Sequence, residues 1–78
     1  MIHNLKILPE HFAPVLTGDK KAEVRFNDRN FKEGDYLRIK EWCEKEGYTG
    51  RIVVRKMTHV ADLSRWSYGY VLLSMRES

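Results

Sequence analysis

Cys43 is the only cysteine in this chain of 78 residues, so no intrachain disulfide can brace it. No C-x-x-C pair or Cys/His cluster offers a structural zinc site in its place. A domain of this size buries only about 60% of the surface its unfolded chain exposes. The fold must therefore rest on the packing of aliphatic residues and nine Phe, Trp and Tyr. Residues 1–78 have room for a single domain.

Period-two alternation supplies most of that packing surface. In the segment Ile2 to Leu8, Leu5 and Ile7 alternate with Asn4 and Lys6, the pattern of a first strand. Pro9-Glu10 suits a helix start, since proline fits the first helical position and an acid fits the positive end of the dipole. Phe12, Val15 and Leu16 form a short apolar stripe, and Gly18 is a natural stop. Pro14 removes a hydrogen bond inside that stretch, which predicts a kinked or late-starting helix.

A second strand is expected over Lys20 to Phe26. Ala22, Val24 and Phe26 share one side, and Lys21, Glu23 and Arg25 share the other. Asn27-Asp28-Arg29-Asn30 and Phe31-Lys32-Glu33-Gly34-Asp35 read as turns. Tyr36 to Cys43 is a third strand with Leu37 and Ile39 inward. Tyr48 to Val60 reads as one long strand bent near Gly50, and Tyr68 to Met75 as the last. Phe12, Phe26 and Phe31 fall on apolar faces and are expected in the core. Five or so strands with one or two short helices predict a mainly β chain, curled into a small barrel.

The N-terminus lacks a basic start followed by a long apolar run, and no stretch reaches the roughly 18 apolar residues of a membrane span. With one thiol, this points to a soluble cytoplasmic protein with no membrane partner. The balance of 14 basic and 11 acidic residues, net +3, is compatible with phosphate-bearing partners without establishing them. His3, His11 and His59 show no metal-ligand spacing, so no metal or other cofactor is expected.

Three stretches in order carry a resemblance. They are Leu5-Lys6-Ile7-Leu8-Pro9-Glu10-His11-Phe12, then Val15 through Arg25 with its G-x-K-x-x-E-x-R spacing, then the F-x-x-G-D turn Phe31 to Asp35. Together they resemble the ASCH domain of the PUA-like superfamily, in the small bacterial and phage branch that has no assigned function. The likeness runs on through Tyr68-Gly69-Tyr70-Val71-Leu72. It implies a β-barrel of five or six strands with a helix beside a cleft, and RNA or a modified nucleoside as partner.

Lys20, Lys21, Glu23 and Arg25 are then the leading site candidates. From the residues alone they make an exposed strand face of alternating charges, held by cross-strand pairs worth about 0.2–1 kcal/mol. The resemblance instead places them on the cleft wall. There Arg25 or Lys20 would meet a phosphate and Glu23 a base edge. Asn27 and Arg29 extend the set into the next loop, Arg29 as a phosphate clamp and Asn27 as a base reader, though turn formation fully explains Asn27. Trp66, beside Arg65, offers either a stacking ring for a base or a cap on the open end of a thin barrel. Arg51, Arg55 and Lys56 could extend a phosphate track or be ordinary surface charges.

An enzymatic alternative, hydrolysis of acetylated cytidine, is also implied by the resemblance. In such ASCH enzymes the same strand supplies a lysine and a threonine nucleophile. Lys20 matches the lysine, but Glu23 stands at the threonine position, and a carboxylate cannot replace an activated hydroxyl. The expectation is a non-enzymatic binding module. A third possibility is a phage or mobile-element protein whose aromatic segment docks on a protein partner.

Overall fold

A computed structural model describes residues 1–77. The chain runs β1 (Ile2–Ile7), α1 (Pro9–Thr17), β2 (Ala22–Phe26), β3 (Tyr36–Cys43), β4 (Gly47–Asp62) and β5 (Tyr70–Glu77). The five strands form one sheet in the order β1-β3-β4-β5-β2. All neighbours are antiparallel except β1 and β3, which run parallel. The sheet curls into a half-barrel around α1, as a mainly β chain with one short helix should. No helix among the described residues is long and apolar enough to cross a membrane.

Alternation decides what fills the concave side. Leu5 and Ile7 of β1, Leu37 and Ile39 of β3, Val53 and Met57 of β4, and Val71, Leu73 and Met75 of β5 are all buried there. Phe12 and Val15 of α1 close over them. Leu16, the third member of the expected helical stripe, faces out and is exposed. The helix starts at Pro9 and continues through Pro14, rather than starting late. Gly18 stops it in the left-handed region at φ 89°, donating its N–H to the Val15 carbonyl. Gly50, at φ 94°, lies where the β3–β4 register shifts between Lys40 and Trp42, the bend expected in β4.

Two expected core or capping aromatics are not used that way. Phe26 is half exposed, because it pairs with Tyr70 on the outer side of the sheet, their rings meeting edge to face at 5.5 Å. Trp66 is 77% exposed on the turn between β4 and β5, so it caps nothing.

The F-x-x-G-D turn ties three strands. Phe31 is buried with its ring edge-on to His3 of β1, centroids 4.8 Å apart. Gly34, at φ 90°, donates its N–H to the Met57 carbonyl of β4, and Met57 donates back to the Asp35 carbonyl. The Asp35 carboxylate bonds His3 Nε2 at 2.9 Å and accepts the Lys32 N–H at 3.3 Å. His3 is the largest cause of an Asp35 carboxyl held below its usual range. Partial burial opposes the shift; the N-terminal ammonium and the Lys32 N–H reinforce it. A depressed carboxyl contributes stability above its unfolded value of about 3.9 and loses it as pH falls through the folded value. Thermal melting should therefore shift downward as pH drops below about 4. Asp35→Asn should flatten that dependence, and an unchanged slope would remove Asp35 from the account.

Candidate nucleic-acid site

The sidedness of β2 sets up the site. Glu23 lies opposite Leu73 and Arg25 opposite Val71, and both partners are buried on the concave side. Glu23 and Arg25 therefore point into the curl, and Val24 and Phe26 point out. The charged side of this strand, not the apolar one, faces the interior.

The reason is at the seam. β1 and β2 are the two ends of the sheet order, so neither pairs with the other. Side chains bridge the gap instead. Arg25 Nη2 donates to the Lys6 carbonyl of β1 at 2.8 Å, and Arg29 Nη1 donates to the Asn4 carbonyl. Lys6 and Asn4 are two apart and share one edge of β1, so the two guanidinium groups occupy successive carbonyls where a ladder would otherwise run.

Glu23 holds the latch in position. Its side chain is 12% exposed, with Oε1 2.7 Å from Lys20 Nζ and Oε2 3.2 Å from Arg25 Nη2. An ionised carboxylate offers about four lone-pair sites, so these partners leave acceptor capacity for a ligand. Lys20 itself is fixed by its N–H, which donates to the Pro14 carbonyl at 2.9 Å.

Two depressions adjoin this cluster. One, of about 530 Å³, wraps over the open edge of β2 and is lined by His11, Lys20, Glu23 and Arg25, with Phe26 and Tyr70 on its outer side. The other, of about 550 Å³, lies past the end of α1. It is lined by Lys20, Lys21, Arg55 and Arg76, with Glu77 its one carboxylate among the described residues. Lys20 stands on the wall between them. Arg55 is buried and donates to the Val15 and Leu16 carbonyls, the negative end of the helix.

Residues 2–75 match the family model described as domain of unknown function (DUF3850). The chain belongs to this family. It is also 46% identical over 72 residues to an uncharacterized 12.9 kDa protein in the GpA 3' region of Escherichia phage P2. That match covers 92% of this chain and 65% of the phage protein, so the chain spans about two thirds of its curated relative's length.

Within this DUF3850 domain the structure gathers Lys20, Glu23, Arg25 and Arg29 along the seam, and places Lys21 in the basic depression. Asn27 serves the loop, its Oδ1 accepting the Phe31 N–H at 3.1 Å. Trp66 lines neither depression. Arg51, Arg55 and Lys56 form no common track. Arg55 is buried on the concave side, and Lys56, next in β4, faces out. Arg51 reaches Glu41 at 3.6 Å and lies over the Phe12 ring at 5.1 Å. A second inward carboxylate, Glu41, is absent from the residues that the sequence singles out. It is 5% exposed and also accepts from Thr49 Oγ1 at 2.7 Å, and its in-facing position in β3 alternation was the available signal. Among the described residues, no three His, Cys, Asp or Glu side chains converge as a metal site requires.

Arg25→Ala removes a charged hydrogen bond from the seam. It should lower unfolding free energy by roughly 1.5–3 kcal/mol, measured from urea denaturation midpoints. A loss below about 0.5 kcal/mol, the size of an ordinary surface substitution, would mean that the seam does not depend on it.

Proposed function

We propose that this domain binds RNA or a modified nucleoside in the manner of the ASCH domains of the PUA-like superfamily, without catalysing a reaction. The observation that carries this reading is the position of Lys20 between the two depressions. A nucleotide has an anionic end and a base edge bearing N–H donors. On one side of Lys20, the basic depression with Lys21 and Arg76 suits the phosphate. On the other side, the spare acceptor sites of Glu23 suit the amino or imino N–H of a base, and the Phe26 and Tyr70 rings border the same hollow.

The seam divides the roles among the basic residues. Arg25 and Arg29 already donate to β1, so in this reading they build the wall and leave phosphate contact to Lys21 and Arg76, with Lys20, paired to Glu23, standing between phosphate and base. The resemblance in the G-x-K-x-x-E-x-R stretch supports the same assignment, since that stretch ends at the latch and begins at the basic depression. The proposed binding belongs to this domain alone and does not extend to the longer phage relative.

The test is a titration with short RNAs at two salt concentrations. Lys21→Ala and Arg76→Ala should each weaken binding across all sequences and lower the salt slope by roughly one, as expected when one fewer phosphate is neutralised. Glu23→Gln, which swaps one acceptor oxygen for a donor, should change the preference among bases while keeping the salt slope. Affinity untouched by all three variants would overturn the reading.

A further inference from the structure

The outer side of the sheet carries a surface that the depressions do not involve. Residues of β1, β3 and β4 that alternate with the core project there in cross-strand rows. Lys6, Lys40 and Ile52 form one row, Asn4, Arg38 and Val54 the next, and Ile2, Tyr36 and Lys56 a third, with Trp42 beside Tyr48 at the end. No element of the fold covers this side among the described residues, since α1 packs on the concave face.

Within the strands the charge on this side has one sign; the exposed Glu44 and Glu46 lie past its end, in the β3–β4 turn. β1 contains no acidic residue. The acid of β3, Glu41, points inward and is buried. The acid of β4, Asp62, lies beyond the stretch that pairs with β3. Lys6, Lys40 and Lys56 make no salt bridge among the described residues. Three of the cations instead lie over rings: Lys6 over Trp42 at 4.3 Å, Lys40 over Tyr48 at 5.8 Å and Lys56 over Tyr36 at 5.9 Å. Tyr48 and Ile52 are more than half exposed.

We propose that this outer face of β1, β3 and β4 is a second binding surface, for single-stranded nucleic acid. Unpaired cations complement a phosphate chain. The rings beside them give unstacked bases flat partners, an interaction worth about 1–3 kcal/mol per base. Same-face side chains repeat roughly every 6.6–6.8 Å along a strand, so a backbone lying along the strands meets two cation–ring units at the Trp42 end, Arg38 in the row between, and the Lys56–Tyr36 unit beyond it. A duplex keeps its bases stacked inside, and this convex sheet face has no helix or loop to enter a groove. An acidic polypeptide would match the lysines but leave the rings unused.

Trp42 supplies its own reporter. The chain has two tryptophans, and Trp66→Phe, at an exposed turn position, leaves Trp42 alone. Single strands of about twelve nucleotides, oligouridylate and oligothymidylate, should quench Trp42 emission with a salt-sensitive affinity. A duplex of equal length and polyglutamate should quench it far less. Lys40→Glu with Lys56→Glu should weaken the effect roughly tenfold or more, with the melting temperature confirming that the sheet is intact. Unchanged Trp42 emission would overturn the proposal, as would equal quenching by duplex or polyglutamate. Because the signal arises on the outer face, it succeeds or fails independently of binding beside Lys20.

Discussion

An open sheet of five strands has two unpaired edges, and in this chain they come to lie side by side. The carbonyls of Asn4 and Lys6 on β1 have no strand to meet, and a backbone acceptor left without a partner costs about as much as a missing hydrogen bond. The guanidinium groups of Arg29 and Arg25 satisfy them. Most of what is distinctive in this domain follows from that arrangement. It requires a charged residue on the inner side of β2, a carboxylate to hold the arginine, and a lysine to balance the carboxylate. The E-x-R spacing and the lysine before it are the local record of a closure made by side chains instead of a ladder.

The cations fall into three sets. Arg25, Arg29 and Arg55 spend their donors on backbone carbonyls, two at the seam and one at the end of α1. Lys20, Lys21 and Arg76 border open hollows, and Lys6, Lys40 and Lys56 lie over rings on the outer side. A basic residue count cannot separate such roles, because the difference lies in what each donor already touches. A small half-barrel with this division offers ligands its lysines more than its arginines.

Much of the architecture was legible in the sequence. Alternation located all five strands to within about two residues, Gly18 marked the end of the helix, and Gly50 marked the bend in β4. What alternation could not show was which side of β2 faces inward. Val24 and Phe26 look like core by hydropathy, yet the seam demands Arg25 inside, and the apolar pair goes out to meet Tyr70 and Leu72. Pro14 misled in the opposite direction: on a helix of nine residues packed through Phe12 and Val15, tertiary packing outweighs one missing donor. The candidate site was read in its parts but not in its roles. Lys20, Glu23 and Arg25 do converge, and only the folded chain reveals that three members of the wider set, Arg25, Asn27 and Arg29, bind the chain's own backbone. The outer cationic face was invisible because it joins the hairpin of β3 and β4 to β1, more than thirty residues earlier at each paired position.

The strand order has a bearing on how the chain reaches this state. β3, β4 and β5 follow one another as a meander, so each can pair with its predecessor across a short connection. Of the two strands that precede them in sequence, β1 can pair with β3 once β3 is made, but β2 pairs only with β5 and has nothing to dock on until that last strand exists. During synthesis β2 must wait as unpaired strand while β5 is made, and the latch can close only after β1 and β2 have both docked. Such long-range pairing slows folding relative to local interactions of equal strength, and it leaves β2 exposed to proteases and to mispairing for longest.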